Sequence, residues 1–142
     1  MTALGPRAEH RQSGQRVRFD WGPTGAEAIA AGADVAVVVD VLSFTTTLTV
    51  AVERGLTVLP FTWKDERAEA YAARHGATLA LGRLEAQALG GDAVSLSPAA
   101  MTAVSGIERL VLPSPNGSSI SFGLAEAGAQ VVGGCLLNRS AV

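Results

Sequence analysis

Val35-Ala36-Val37-Val38-Val39-Asp40-Val41-Leu42-Ser43-Phe44-Thr45-Thr46-Thr47 is the stretch on which the fold turns. Its first seven residues form a β-branched run broken only by Ala36 and Asp40, which reads as a strand over 35–41 buried on both faces. Ser43 stands where a helix N-cap belongs, and residues 45–53 continue as a helix that Gly55 ends. Three successive threonines are poor in a helix interior. In a first turn they are acceptable, because their hydroxyls meet backbone groups that have no helical partner.

The same alternation extends in both directions. Downstream, strands are expected over 56–59, 77–81, 109–112 and 129–137, with helices over 65–74 and 118–127. Ser97-Pro98 opens a short helix by the N-cap and first-position proline rule. Residues 84–94 read either way, with Gly90-Gly91 favouring a loop. Upstream, residues 16–21 alternate like a short strand, Gly22-Pro23-Thr24 turns the chain, and Thr24 is a candidate N-cap for an Ala-rich helix ending near Gly32. Strands alternating with helices through short connections imply parallel pairing. The expected fold is therefore α/β, a three-layer α/β/α arrangement with a largely parallel sheet, or a mixed one. Residues 1–15 are polar and aperiodic and read as a flexible N-terminal arm, with one α/β domain over 16–142. The final residues, Leu136-Leu137-Asn138-Arg139-Ser140-Ala141-Val142, look like the opening of another helix, so the domain is expected to continue beyond them.

Composition narrows the function classes. Of the 142 residues, 48% are hydrophobic and only 5% aromatic, so the core must be built mainly of Val, Leu and Ala. The formal net charge of −2 argues against an electrostatically driven nucleic-acid binder. Arg7, Arg11, Arg16 and Arg18 cluster early, but Glu9 interrupts them and Asp20 follows, the pattern of a solvated surface. The lone Cys135 permits no intrachain disulfide and no multi-cysteine zinc site. No apolar stretch approaches the roughly 20 residues of a membrane span, and a cytoplasmic location is the default expectation.

In open parallel sheets, ligands collect beyond the carboxyl ends of the strands, where helix N-termini present free N–H groups. Four such ends can be read, at residues 40–47, 82–85, 113–119 and 135–140, and small polar residues concentrate there. This points to a small, anionic ligand. Ser114-Pro115-Asn116-Gly117-Ser118-Ser119 combines a fixed proline dihedral, a glycine tolerant of unusual backbone angles and hydroxyls at a helix start. It can cup an anion, or be a plain turn capped by Ser118. Asp40 ends an apolar strand and must be paired, hydrogen-bonded or metal-bound. Mg²⁺, which accepts one or two carboxylates plus water and phosphate oxygens, would suit it; capping the next helix is the alternative. Arg83 could grip an anion with its fork or pair with a surface acid such as Glu85. His10 and His75 have no metal-ligand spacing and carry no assigned role.

Laid in order, these segments resemble the 2-phosphosulfolactate phosphatase family. That family carries Asp-Val-Leu-Arg-Ala-Thr-Thr, Gly-Glu-Arg, Asn-Ser-Pro, Thr-Asn-Gly-Thr and Gly-Ser-Phe-Leu-Asn segments. The counterparts are Asp40-Val41-Leu42-Ser43-Phe44-Thr45-Thr46, Gly82-Arg83-Leu84, Leu96-Ser97-Pro98, Pro115-Asn116-Gly117-Ser118 and Cys135-Leu136-Leu137-Asn138. The resemblance implies a Mg²⁺-dependent phosphatase of 2-phospho-3-sulfolactate or a related anion, a step toward coenzyme M. It implies Asp40 and Asn116 as catalytic, with Asp40 on the metal. Ser43, Thr45, Thr46, Arg83, Gly117, Ser118, Ser119 and Asn138 are the expected substrate and phosphate contacts. No nucleic-acid or membrane partner is implied, and a homodimer is a possible assembly. Two departures mark this chain: Ser43 replaces the family arginine, and Arg83 replaces the family glutamate. The rival reading is a non-catalytic binding or regulatory module for an anionic ligand on the same scaffold.

Overall fold

The computed structural model describes residues 8–62, 66–91 and 93–142. Arg7 and the expected helix start at Asp65 lie outside them. The described residues form β1 (Val35–Val39), β2 (Thr57–Phe61), β3 (Thr78–Leu79), β4 (Arg109–Pro113) and β5 (Gln130–Gly134). Between and around these lie α1 (Gly22–Ala30), α2 (Phe44–Glu53), α3 (Glu66–His75), α4 (Arg83–Leu89), α5 (Pro98–Met101) and α6 (Gly117–Glu126). Every strand pairing is parallel, as the strand–helix alternation requires. The fold class is α/β.

The pairing splits into two groups. β1 pairs with β5, Val35 opposite Gln130 and Val39 opposite Gly134. β4 lies between β2 and β3, with Thr57 opposite Arg109 and Thr78 opposite Leu110. Helices α2 and α6 touch strands of both groups, whereas α3 packs on β3 and β4.

The strand covered on both faces is β4, not β1. Leu110, Val111 and Leu112 are all buried, although successive strand residues point to opposite faces. Leu110 and Leu112 join Phe44, Val50, Ala51, Ala80, Val94 and Met101 in the main core. In β1, Val38 is buried while Val35, Val37 and Val39 are exposed on the other face. The β-branched run announces a strand correctly, but burial depends on what packs over it. Among the described residues the helices cover one face of the β1–β5 pair.

The expected strand over 16–21 is absent. Side chains, not a ladder, meet the Phe19 and Trp21 backbone groups. Gln12 both donates to the Phe19 carbonyl (2.7 Å) and accepts from the Phe19 N–H (3.0 Å). The Arg18 guanidinium reaches the Ile29 and Ala31 carbonyls at the end of α1, at 2.9 and 2.6 Å. These bonds lay the segment along α1 rather than beside a strand. Residues 8–11 form a short 3-10 turn against α1. Helix α1 starts earlier than Thr24, because Pro23 fits its first turn and Asp20 accepts the Trp21 N–H at 2.8 Å. The ambiguous 84–94 stretch resolves into α4 and a turn at Gly90-Gly91, both glycines at positive φ.

Gly123, inside α6, has open space where a Cβ would sit. Gly123→Ala should therefore raise the free energy of unfolding by about 0.5–1 kcal/mol, the helix-interior cost of glycine. A urea titration would show it as a higher midpoint at constant slope.

Candidate functional site

The β1 end and the β4 end meet through one backbone N–H. The Gly117 N–H, at the start of α6, donates to Asp40 Oδ2 (3.1 Å) and to Ser114 Oγ (3.1 Å). This bond joins residues 77 positions apart and brings the two strand ends together. It needs glycine at 117. A Cβ there would lie 2.2 Å from Phe44 Cδ1 and 2.7 Å from Asp40 Oδ2.

The threonines after Asp40 shape the β1–α2 turn. The Thr45 N–H donates to the Asp40 carbonyl (2.9 Å), and the Asp40 N–H donates to Thr45 Oγ1 (3.2 Å). Thr46 Oγ1 donates to the Val41 carbonyl at 2.8 Å. Ser43 occupies the N-cap position of α2, yet its hydroxyl makes no cap bond. Ser43 Oγ and Thr47 Oγ1 instead both donate to the Leu96 carbonyl, at 3.3 and 2.9 Å. That pair ties the helix start to the loop before α5.

Over this junction lies a cleft of about 220 Å³, lined by Asp40, Ser43, Ser114 and Asn116 on its polar side. Leu42, Phe44, Leu96, Leu112, Pro113 and Pro115 give it apolar walls, and Thr47 completes the lining. Asp40, Ser43 and Asn116 thus line one cleft, and the Gly117 N–H ties Asp40 to Ser114 beside it. Thr45 and Ser118 are fully buried, and the Ser118 hydroxyl donates to the Leu112 carbonyl at 2.8 Å. Ser119 Oγ donates to the Thr62 carbonyl at 3.1 Å. These hydroxyls fasten the loop to β4 and β2. They are not among the residues lining the cleft, and neither is Thr46.

Two of the expected residues lie elsewhere. Asn138 closes the turn after β5: its Oδ1 accepts the Cys135 N–H and its Nδ2 donates to the Gly133 carbonyl, both at 2.8 Å. Arg83 is exposed in the first turn of α4 and does not line the cleft. Arg83→Ala should accordingly leave ligand binding within about 0.5 kcal/mol of wild type, the ordinary range for surface substitutions. A binding isotherm displaced by tenfold would place Arg83 in contact with the ligand.

Cys135 is buried beside Thr49, with Sγ 3.3 Å from Thr49 Oγ1. Burial pushes the thiol pKa up, but hydrogen bonds from the Thr49 side chain, the Asn138 and Leu137 backbone and the Thr46 side chain outweigh it. The net direction is down.

Sequence reasoning singled out the 114–119 loop but not the lining role of Ser114, Thr47 or Leu96. The cue for Ser114 was present, in a small hydroxyl at a strand end. Leu96 carries no such cue, since its place depends on a bond to a helix about fifty residues away.

A model of the 2-phosphosulpholactate phosphatase family matches residues 24–142. No curated protein matches the chain, and no solved structure matches it.

Proposed function

The chain belongs to the 2-phosphosulpholactate phosphatase family, and from that premise we propose that it is a Mg²⁺-assisted phosphomonoesterase of a small phosphorylated hydroxy acid, 2-phospho-3-sulfolactate or a related anion. The observation that carries the reading is the Asp40–Gly117 junction. A strand-end carboxylate and a helix N-terminus share one small cleft, the pairing of a cation ligand with an anion-binding helix end.

The donors present suit Mg²⁺ in a limited form. The cleft offers the Asp40 carboxylate and the neutral oxygens of Ser43, Ser114 and Asn116. Among the described residues no group of three His, Cys, Asp or Glu side chains could cage a metal. Mg²⁺ is commonly held by one carboxylate, with water and substrate phosphate completing its octahedron. Asp40 would hold it. When bound, the ion would supply Lewis-acid stabilisation of charge on the phosphoryl oxygens.

The protein's own groups do the rest. The Gly117 N–H is taken by Asp40 and Ser114, and the first-turn amides of α6 that follow it, which have no partner within the helix, would face the charge of a phosphoryl group. The Asn116 side-chain amide orients its oxygens by hydrogen bonds, while the Ser43 hydroxyl donates to the Leu96 carbonyl and fixes the neighbouring wall. Phe44 and Leu112 exclude water from the inner wall, which strengthens each of these contacts. The buried hydroxyls of Ser118 and Thr45 each fasten their own strand–helix turn, and the Gly117 N–H on Asp40 links the two turns.

The test is phosphate release from a panel of phosphorylated hydroxy acids, with Mg²⁺ and with a chelator. Turnover that depends on Mg²⁺ is expected. Equal release in the chelator would remove the metal from the reaction. Binding without release would favour an anion-binding module.

A further inference from the structure

The apolar walls of the cleft bear on the part of the substrate that is not phosphate. Leu42, Phe44, Leu96, Pro113 and Pro115 form those walls, and Asp40 is the charged side chain among the described lining residues. Ser43 stands where the family pattern has arginine, and its hydroxyl is engaged by the Leu96 carbonyl. Arg83 does not reach the cleft.

Resting on the phosphatase reading, we infer that the substrate is a phosphorylated 2-hydroxy acid whose remaining substituent is a short alkyl group, where the family's named substrate carries a sulfonate. A sulfonate against Phe44, Leu96 and Pro113 would lose water and gain no cation from the described lining, with the Asp40 carboxylate nearby. Burying a charge without a partner is costly, and a like charge adds to the penalty. An alkyl group instead places its carbons against the same side chains. The cleft, of about 220 Å³, has room for a group of a few carbons beside the phosphorylated acid.

Three esters test this: 2-phospholactate, its analogue with an isobutyl side chain in place of methyl, and 2-phospho-3-sulfolactate. For each, kcat/KM for phosphate release is measured with Mg²⁺, and binding is measured calorimetrically. The isobutyl ester is expected to exceed the sulfonated one by at least about tenfold in both, the low end of what one apolar pocket contact discriminates. Ser43→Arg, which returns a guanidinium to the cleft, should narrow or reverse that ratio. A sulfonated ester that is the best substrate and the tightest ligand would overturn the inference and leave the phosphatase reading standing. If no ester is hydrolysed but the isobutyl ester binds tightest, the preference stands and the catalytic reading falls. Failure of all three to bind overturns both.

Discussion

Gly117→Ala is expected to cost about 1–3 kcal/mol of stability, the usual penalty for forcing a carbon into a filled site, and to reduce turnover about a hundredfold. The added Cβ would fall 2.2 Å from the Phe44 ring and 2.7 Å from the Asp40 carboxylate. Phe44 is buried in the core, so the ring has little room to retreat. The more mobile group is Asp40, which must leave the Gly117 N–H. Displacing a reacting or metal-holding group by about 1 Å is enough for a loss of that size. Gly123→Ala, on the same helix with open space around it, is the control for helix-wide effects. A Gly117→Ala protein with wild-type kcat/KM and an unchanged urea midpoint would show that the close approach has no consequence for site or fold.

Asp40→Asn should lower Mg²⁺-dependent turnover by about a hundred- to a thousandfold, comparable with removing one preorganised electrostatic contact from an active site. The amide oxygen can still accept the Gly117 N–H, so the junction keeps its geometry. What is lost is the charge that would hold the cation. Stability should fall by only about 1 kcal/mol, the difference between a charged and a neutral acceptor. The measurement is turnover as a function of Mg²⁺ concentration, beside a thermal unfolding curve. An unchanged Mg²⁺ dependence would take Asp40 out of the metal site. Unfolding without any change in metal dependence would make its role that of a cap for the α6 terminus.

From β1 onward, local chemistry was enough to establish the order of strands and helices except at α4, where the sequence read either way. The Val35–Val39 run, the glycine stops at Gly55 and Gly76, and Ser97-Pro98 each act within a few residues, through β-branched side chains, backbone freedom and capping. The same locality marked the strand ends that hold Asp40 and the 114–117 loop, because a polar residue closing an apolar strand is visible without any knowledge of its neighbours. Local reading misled where long-range partners decide. Residues 16–21 alternate like a strand, yet Gln12 and the carbonyls at the end of α1 capture their hydrogen-bonding groups.

Tertiary structure alone decided burial and assembly. β1 is the most β-branched strand but is open on one face, whereas β4 is enclosed because strands flank it on both sides and side chains cover both faces. Hydrophobic pattern reports what a residue can tolerate, not what packs against it. The site shows the same division. Sequence supplied Asp40, Asn116 and Gly117, and the fold brought the Gly117 N–H onto Asp40 across 77 positions. It also turned the Thr45 and Ser118 hydroxyls inward and drew Leu96 to the cleft. A hydroxyl's preference for a backbone partner is intrinsic to its chemistry, but which carbonyl lies within 3 Å is set only when the chain has closed on itself.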